Sequence, residues 1–481
     1  MKHKMKKPNV LILMSDEHRS DVLGYNHNKI IRTPILDKLS KEGCVFENAY
    51  TPSPICVPAR QCLMSGQLPK TCHCDGSWMD LKPFYDTFAK RLTQHAYTTV
   101  CSGKLHHLGM DQMQGWMQRL SPDAMIYPKY FEGLVKEEYD KYSKKAVSEK
   151  KSNEAYVKEA GVKFGKYQKY DLDVCEKAKE FVQSYFKESD DSRKPLLLKV
   201  SFLQPHYPFF TDKEKFDYYY DKVEVYEDKL CDHPVLSQSQ IEKPVNVSSG
   251  EIRSATATYY GMVETIDQYY GEILKAIEDE GQNLDDWVII YLSDHGEMLG
   301  EHGIWEKARF YEASVKVPLI IKPPKYNSKG LRINKNVNLC DLYSTLCDLT
   351  NIPIPPNLDS RSLVPLMAGS SDWNNESVSQ IKRGENYHVM IKIDDLKYQY
   401  YGEEIPEVLF DLKNDSAETI NVIENPNFKN EVQIFRDRLS ALGYGIKSDS
   451  KYVNAGYDCG VLVKRINNEM LYPEDSNPWM V

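Results

Sequence analysis

Several short stretches of this chain carry side chains able to bind a cation, hold an anion and move protons. Ser15-Asp16-Glu17-His18 closes the apolar run Val10–Met14, and Ser293-Asp294-His295-Gly296 closes the run Trp287–Leu292. Acidic residues just past the carboxyl end of a buried strand are well placed for a metal, because open α/β sheets build their sites at that edge. His206 lies between Pro205 and Pro208 after a third such run, Pro195–Phe202, and the prolines stiffen the backbone around it. Gly103-Lys104-Leu105-His106 follows a fourth, Thr98–Ser102. Lys104 is a compact point charge and His106 a proton carrier near neutral pH. In extended backbone the two would share a face. Cys56 stands in Ser-Pro-Ile-Cys-Val-Pro-Ala-Arg, with Arg60 four residues on and a helix continuing over Gln61–Gly66. Backbone N–H groups at a helix start favour an anion there.

Together these stretches resemble the sulfatase family of the alkaline-phosphatase-like superfamily. Cys56-Val57-Pro58-Ala59-Arg60 resembles its C-x-P-x-R signature, with Ser65-Gly66 following; Gly103–His106 resembles G-K-x-H and Pro205–Pro208 resembles P-H-x-P. Ser293–Gly303 resembles S-D-H-G-x-x-x-G-x-x-G, and Lys307 falls where the family places a second substrate lysine. The resemblance implies that a maturation enzyme oxidises Cys56 to formylglycine, whose hydrate supplies two hydroxyls. One attacks sulfur, His206 helps protonate the departing alcohol, and His106 takes the proton of the second hydroxyl as sulfate leaves. Asp16, Asp294 and His295, with Glu17 and the modified Cys56, would bind one divalent cation; Ca²⁺ is favoured, with Mg²⁺ or Mn²⁺ open. Arg60 would hold the diol and support the metal side, while Lys104 and Lys307 clamp sulfate oxygens. Glu17 departs from the family, most members of which carry Asp or Gln there. The Asp294-His295 pair and Gly296–Gly303 also resemble the branch with choline sulfatases and phosphonate monoester or phosphodiester hydrolases. Those phosphoryl enzymes generally lack the Lys and His of G-K-x-H, so sulfate is preferred. An inactive binding relative would follow if Cys56 stayed a thiol.

Net charge is −9, which argues against a general nucleic-acid binder while leaving room for a basic pocket. No apolar run reaches membrane-span length, and the basic start runs into Asp16 too soon for a signal segment, so the expectation is cytoplasmic. Reduced thiols are then expected for the 11 cysteines. A zinc site at Cys62, Cys72, His73 and Cys74 lacks a second ligand pair of ordinary spacing. The substrate would be a sulfated small molecule or saccharide, with neither nucleic acid nor membrane as partner.

The elements that must position these groups read as an α/β fold: a large, mostly parallel mixed sheet between helices, then a small antiparallel subdomain. Strands are expected at Asn9–Met14, Val45–Ala49, Thr98–Ser102, Pro195–Phe202, Trp287–Leu292 and Val317–Ile321. Helices are expected at Pro34–Gly43, Asp86–His95, Leu172–Lys187, Ile252–Glu280, Asp341–Leu349 and Glu431–Leu442. The boundary is drawn as 1–381 for the catalytic domain and 382–481 for the remainder, where His388–Ile393, Lys397–Tyr401 and Glu407–Asp411 are short strands. Residues 121–170, rich in Lys, Glu and Tyr and with a charged helix over Glu137–Glu149, read as a substrate rim. The apolar tail at Asn477–Val481 suggests docking on this subunit or on a second copy.

Overall fold

Apolar residues of the buried strands alternate between two faces, and each face is covered. Val10, Ile12 and Met14 enter one core while Leu11 and Leu13 enter the other, as the two-residue period of a strand requires. A computed structural model describes residues 7–76, 79–107, 109–124, 153–187, 193–226, 233–235, 246–325, 330–383, 386–444 and 457–458. The charged stretch at 137–149 and the tail at 477–481 lie outside the described residues.

The large sheet runs in the order Lys316–Val317, Cys44–Tyr50, Leu319–Lys322, Val288–Ser293, Val10–Asp16, Leu196–Pro205, Thr98–Gly103 and Gln118–Arg119. Leu331–Asn338 pairs with Cys44–Tyr50 off this path. The pairs from Val288–Ser293 through Gln118–Arg119 are parallel, and Leu319–Lys322 is antiparallel to both its neighbours. The helices Pro34–Glu42, Lys166–Phe186 and Ser249–Asp279 cover one face. Cys56–Ser65 and Leu342–Leu349 cover the other. A second sheet, Glu376–Arg383, Asn386–Ile393, Leu396–Tyr400 and Val408–Asp411, is an antiparallel meander. The helix Lys429–Ala441 packs on it, with Phe435 stacked on Tyr398 at 5.4 Å. The first strand of this meander straddles the boundary drawn at 381/382. Among the described residues no helix is long and apolar enough to cross a membrane.

Two local expectations are corrected. The helix begins at Cys56 itself, not at Gln61. Pro58 occupies its first turn, where no intrahelical N–H bond is lost, so the proline opens the helix instead of delaying it. The segment after Thr98–Gly103 is not extended: Gly103 has φ +97° and His106 φ +58°. A Cβ on Gly103 would lie 1.9 Å from the Ser201 carbonyl oxygen, so the turn requires glycine there. The strand Leu331–Asn338 was not anticipated, because its Arg332, Asn334, Lys335 and Asn336 mask the alternation of a strand.

Candidate active site

The central strands end at one edge of the sheet, and their terminal residues meet there. The register of Val10–Asp16 against Leu196–Pro205 shifts between Met14 and Asp16. The extra residues lie in Leu196–Pro205, so the irregularity falls just ahead of His206. Asp16 and Asp294 are fully buried and share Arg60, whose Nε donates to Asp294 Oδ2 at 2.7 Å and whose Nη2 donates to Asp16 Oδ2 at 2.9 Å. Arg60 Nη1 donates to the Lys104 carbonyl at 2.6 Å and to Ser201 Oγ at 2.9 Å. Burial alone would depress the Arg60 pKa, but Asp294 and Asp16 outweigh it and hold the guanidinium charged. Lys104 forms a buried ion pair with Asp16. Burial pushes the Asp16 carboxyl up, and the combined field of Lys104, Arg60 and the nearby histidines carries it well below the ordinary range.

Cys56 is the first helical residue of Cys56–Ser65 and points at this pair. Its Sγ lies 3.1 Å from His295 Nε2 and 3.8 Å from Asp16 Oδ1. One donor atom each from Asp16, Cys56, Asp294 and His295 falls within 4.8 Å of the others. Two carboxylates and an imidazole in one buried cluster fit a divalent cation with oxygen-rich ligation. Burial opposes charge on His295, yet Asp294 and Cys56 raise it to about 10. A cation bound there must displace that proton, since metal-ligating imidazole is neutral.

Glu17 belongs to a neighbouring group, with Asp16 and His206. Its N–H donates to Asp294 Oδ1 at 3.2 Å, while its side chain meets Lys307 Nζ at 3.0 Å and His206 Nε2 at 3.4 Å. Burial, outweighing Lys307, raises the Glu17 carboxyl well above its ordinary value. Lys307 Nζ is also 2.7 Å from His206 Nε2, and His206 Nδ1 is 2.6 Å from the Tyr207 carbonyl. Nδ1–H donates to that carbonyl, so Nε2 accepts from the ammonium. Burial and then Lys307 press the His206 pKa well down, leaving the ring neutral. His106 is buried and likewise held neutral, by burial first and Lys104 second. Its Nδ1 has no hydrogen-bond partner among the described residues.

All the residues picked out from the sequence therefore gather at this edge. Those not anticipated are Ser201, whose hydroxyl accepts from Arg60, and Asp123, Asp171 and Glu297, which accept from backbone N–H groups. Glu297 Oε1 accepts from Leu299 N at 2.9 Å and Glu306 N at 2.6 Å, holding the loop that presents Lys307. Asp171 accepts from Leu203 N at 2.7 Å and Gln204 N at 2.9 Å, just ahead of His206. Ser201 did leave a trace in the sequence, as a polar residue inside an apolar run. The cysteine cluster forms no donor group of three or more among the described residues. Cys62 and Cys72 sulfurs are 3.7 Å apart, while the Cys74 thiol turns to the Cys72 carbonyl.

Comparison with known proteins agrees with this geometry. The family model "Sulfatase" matches residues 8–352, and that for the C-terminal part of N-sulphoglucosamine sulphohydrolase matches residues 300–444. The chain belongs to the sulfatase family. It is 32% identical to the choline-sulfatase of Rhizobium meliloti (strain 1021), over 98% of this chain and 94% of that protein. It is 30% identical to an arylsulfatase of Clostridium perfringens (strain 13 / Type A), over 89% of this chain and 93% of that protein. Its fold matches the phosphonate monoester hydrolase of Agrobacterium radiobacter with a TM-score of 0.73 at 21% identity, covering 91% of this chain and 95% of that one. The protein is a sulfuric ester hydrolase.

Proposed function

We propose that the chain hydrolyses the sulfate monoester of a small alcohol or saccharide, using formylglycine made from Cys56 and one bound Ca²⁺. The observation that carries this reading is the placement of Cys56 at a helix start, 3.1 Å from His295 and beside Asp16. A thiolate there would be a softer nucleophile and would lack a second hydroxyl. The cation would orient the nucleophile and offset sulfate charge. Arg60 fixes the two carboxylates that would hold the cation, and the helix start at Cys56 favours an anion there. Lys104 and Lys307 stabilise charge on the nonbridging oxygens as it builds. The Lys307–His206 contact holds the proton that the departing alcohol receives, and neutral His106 accepts a proton as sulfate is released.

Intact mass and a substrate panel test this together. The active protein is expected to weigh about 18 Da less than the thiol form when Cys56 is detected as the free aldehyde, the species whose hydrate is the nucleophile. Choline sulfate, an aryl sulfate and sulfated mono- and disaccharides should be turned over, ahead of phosphate and phosphonate esters. Chelation should abolish turnover and Ca²⁺ should restore it. Cys56→Ala should lose more than roughly 10³-fold in kcat while keeping its fold, as when one member of a catalytic unit is deleted. Full turnover by protein bearing an unmodified Cys56 thiol would overturn the mechanism, and preference for a phosphonate ester would overturn the substrate class.

A further inference from the structure

The turn bearing Lys104 and His106 is held by a clip from the segment Ser121-Pro122-Asp123. Gly103 N donates to Ser121 Oγ at 2.7 Å. Lys104 N donates to the Ser201 carbonyl at 2.9 Å. Leu105 N and His106 N both donate to Asp123 Oδ2, at 3.0 and 2.8 Å. Four consecutive N–H groups thus have buried acceptors, two of them on one carboxylate oxygen. The clip is itself anchored: Tyr170 Oη donates to the Pro122 carbonyl at 3.0 Å, and Arg119 Nη2 reaches Asp123 Oδ2 at 3.3 Å. The turn is tied to the helix bearing Cys56 as well, because Gln61 Nε2 donates to the His106 carbonyl at 2.8 Å.

His106 needs such a clip. Its φ of +58° is a conformation that a side-chain-bearing residue adopts only when its surroundings impose it. Among the described residues its Nδ1 has no partner to orient the ring. Where the imidazole points is therefore set by the backbone beneath it, and two of that backbone's bonds end on Asp123. A misplacement of about 1 Å can cost roughly 10²-fold in rate. We propose that Asp123 is a positioning residue for His106, fixing through the Leu105 and His106 amides the ring that serves sulfate release. The inference rests on the reading of His106 given above.

The test compares Asp123→Ala, Asp123→Asn and His106→Ala, each bearing the same content of modified Cys56, with 4-nitrophenyl sulfate as probe. If His106 serves the second half-reaction, His106→Ala should release one equivalent of 4-nitrophenol in a burst before a slow steady state. Asp123→Ala should reproduce that burst, with kcat down about 10²-fold and KM nearly unchanged. Asp123→Asn should fall less, since one amide oxygen can still accept both N–H bonds. Amide hydrogen exchange supplies a readout apart from activity. Leu105 and His106 should exchange faster in the Asp123 variants, while Leu203 and Gln204, held by Asp171, keep the parent's rates. A burst in His106→Ala without one in Asp123→Ala overturns the positioning role and leaves the reading of His106 intact. No burst in His106→Ala overturns that reading, and Asp123 then stands or falls on whether its variants match the His106→Ala profile. If Asp123→Ala does not fold, parent kinetics and parent amide exchange in Asp123→Asn overturn the proposal.

Discussion

The two halves of the candidate site are built differently. Around Arg60, Asp16 and Asp294 are fully buried with it, and each accepts a short hydrogen bond from its guanidinium. Asp16 and Arg60 hold each other charged. Among Lys307, Glu17, His206 and His106, Lys307 keeps some exposure, the Glu17 Oε1 and His106 Nδ1 atoms lack partners among the described residues, and both histidines are neutral. The first half is a rigid electrostatic scaffold. The second holds its protons in places from which they can move. The lesson is that deleting a charge in the first half should cost folding and activity together, while in the second it should cost activity alone.

The strongest way to break that contrast is Arg60→Met. It leaves the Asp16 and Asp294 carboxylates buried without their shared partner, and removing one member of a buried ion pair typically costs roughly 3–5 kcal/mol. Urea unfolding should reveal a loss on that scale, alongside loss of turnover. A fully stable Arg60→Met protein would mean that Lys104 alone satisfies the pair.

Lys307→Met is the matched experiment on the other side. Removing a preorganised positive group that meets developing charge costs about 10²–10³-fold in kcat. Stability should change by less than about 1 kcal/mol, because Glu17 is already disposed to hold a proton when its lysine is gone. A drop in stability as large as that of Arg60→Met would erase the distinction between the halves.

The contrast also explains what could be read in the sequence. Asp16, His206 and Asp294 were legible because each ends an apolar run, and the two-faced burial of a parallel strand leaves such residues at the sheet edge. Cys56, Lys104 and Lys307 were legible through motif resemblance. Asp123, Asp171 and Glu297 were not, because they act by accepting backbone N–H bonds across the fold. No residue spacing announces an acceptor whose partners lie 17 to 33 positions away, as for Asp123 and Asp171. The start of the Cys56 helix was missed because Pro58 reads as a breaker until its first-turn position is known. The small sheet was visible in three of its strands, and its first, Glu376–Arg383, was not separated from the loop before it.

A pH-dependent effect is expected at Asp171, which braces the strand end ahead of His206. Burial raises its carboxyl to about 7, although three hydrogen bonds, from Leu203 N, Gln204 N and Gln204 Nε2, pull the other way. In the unfolded chain the group titrates near its ordinary value of 3.8. Below that value both states hold the proton, and the contribution of Asp171 to stability is fully present. Between about 4 and about 7 the unfolded chain has released its proton while the folded protein retains it, so stability falls as pH rises. Above about 7 both states are ionised and the slope vanishes. Asp267, Glu306, Asp341 and Glu418 are also raised by burial and add slopes of the same sign. The informative quantity is therefore the difference between the parent and Asp171→Asn. The amide cannot titrate, and its altered hydrogen bonding adds an offset without a slope. Urea unfolding at intervals from pH 4 to 8 should show the parent losing stability relative to the variant up to about pH 7 and running parallel beyond it. Parallel curves throughout would place the Asp171 proton elsewhere, and would make its brace on the His206 strand as fixed in charge as the Arg60 scaffold.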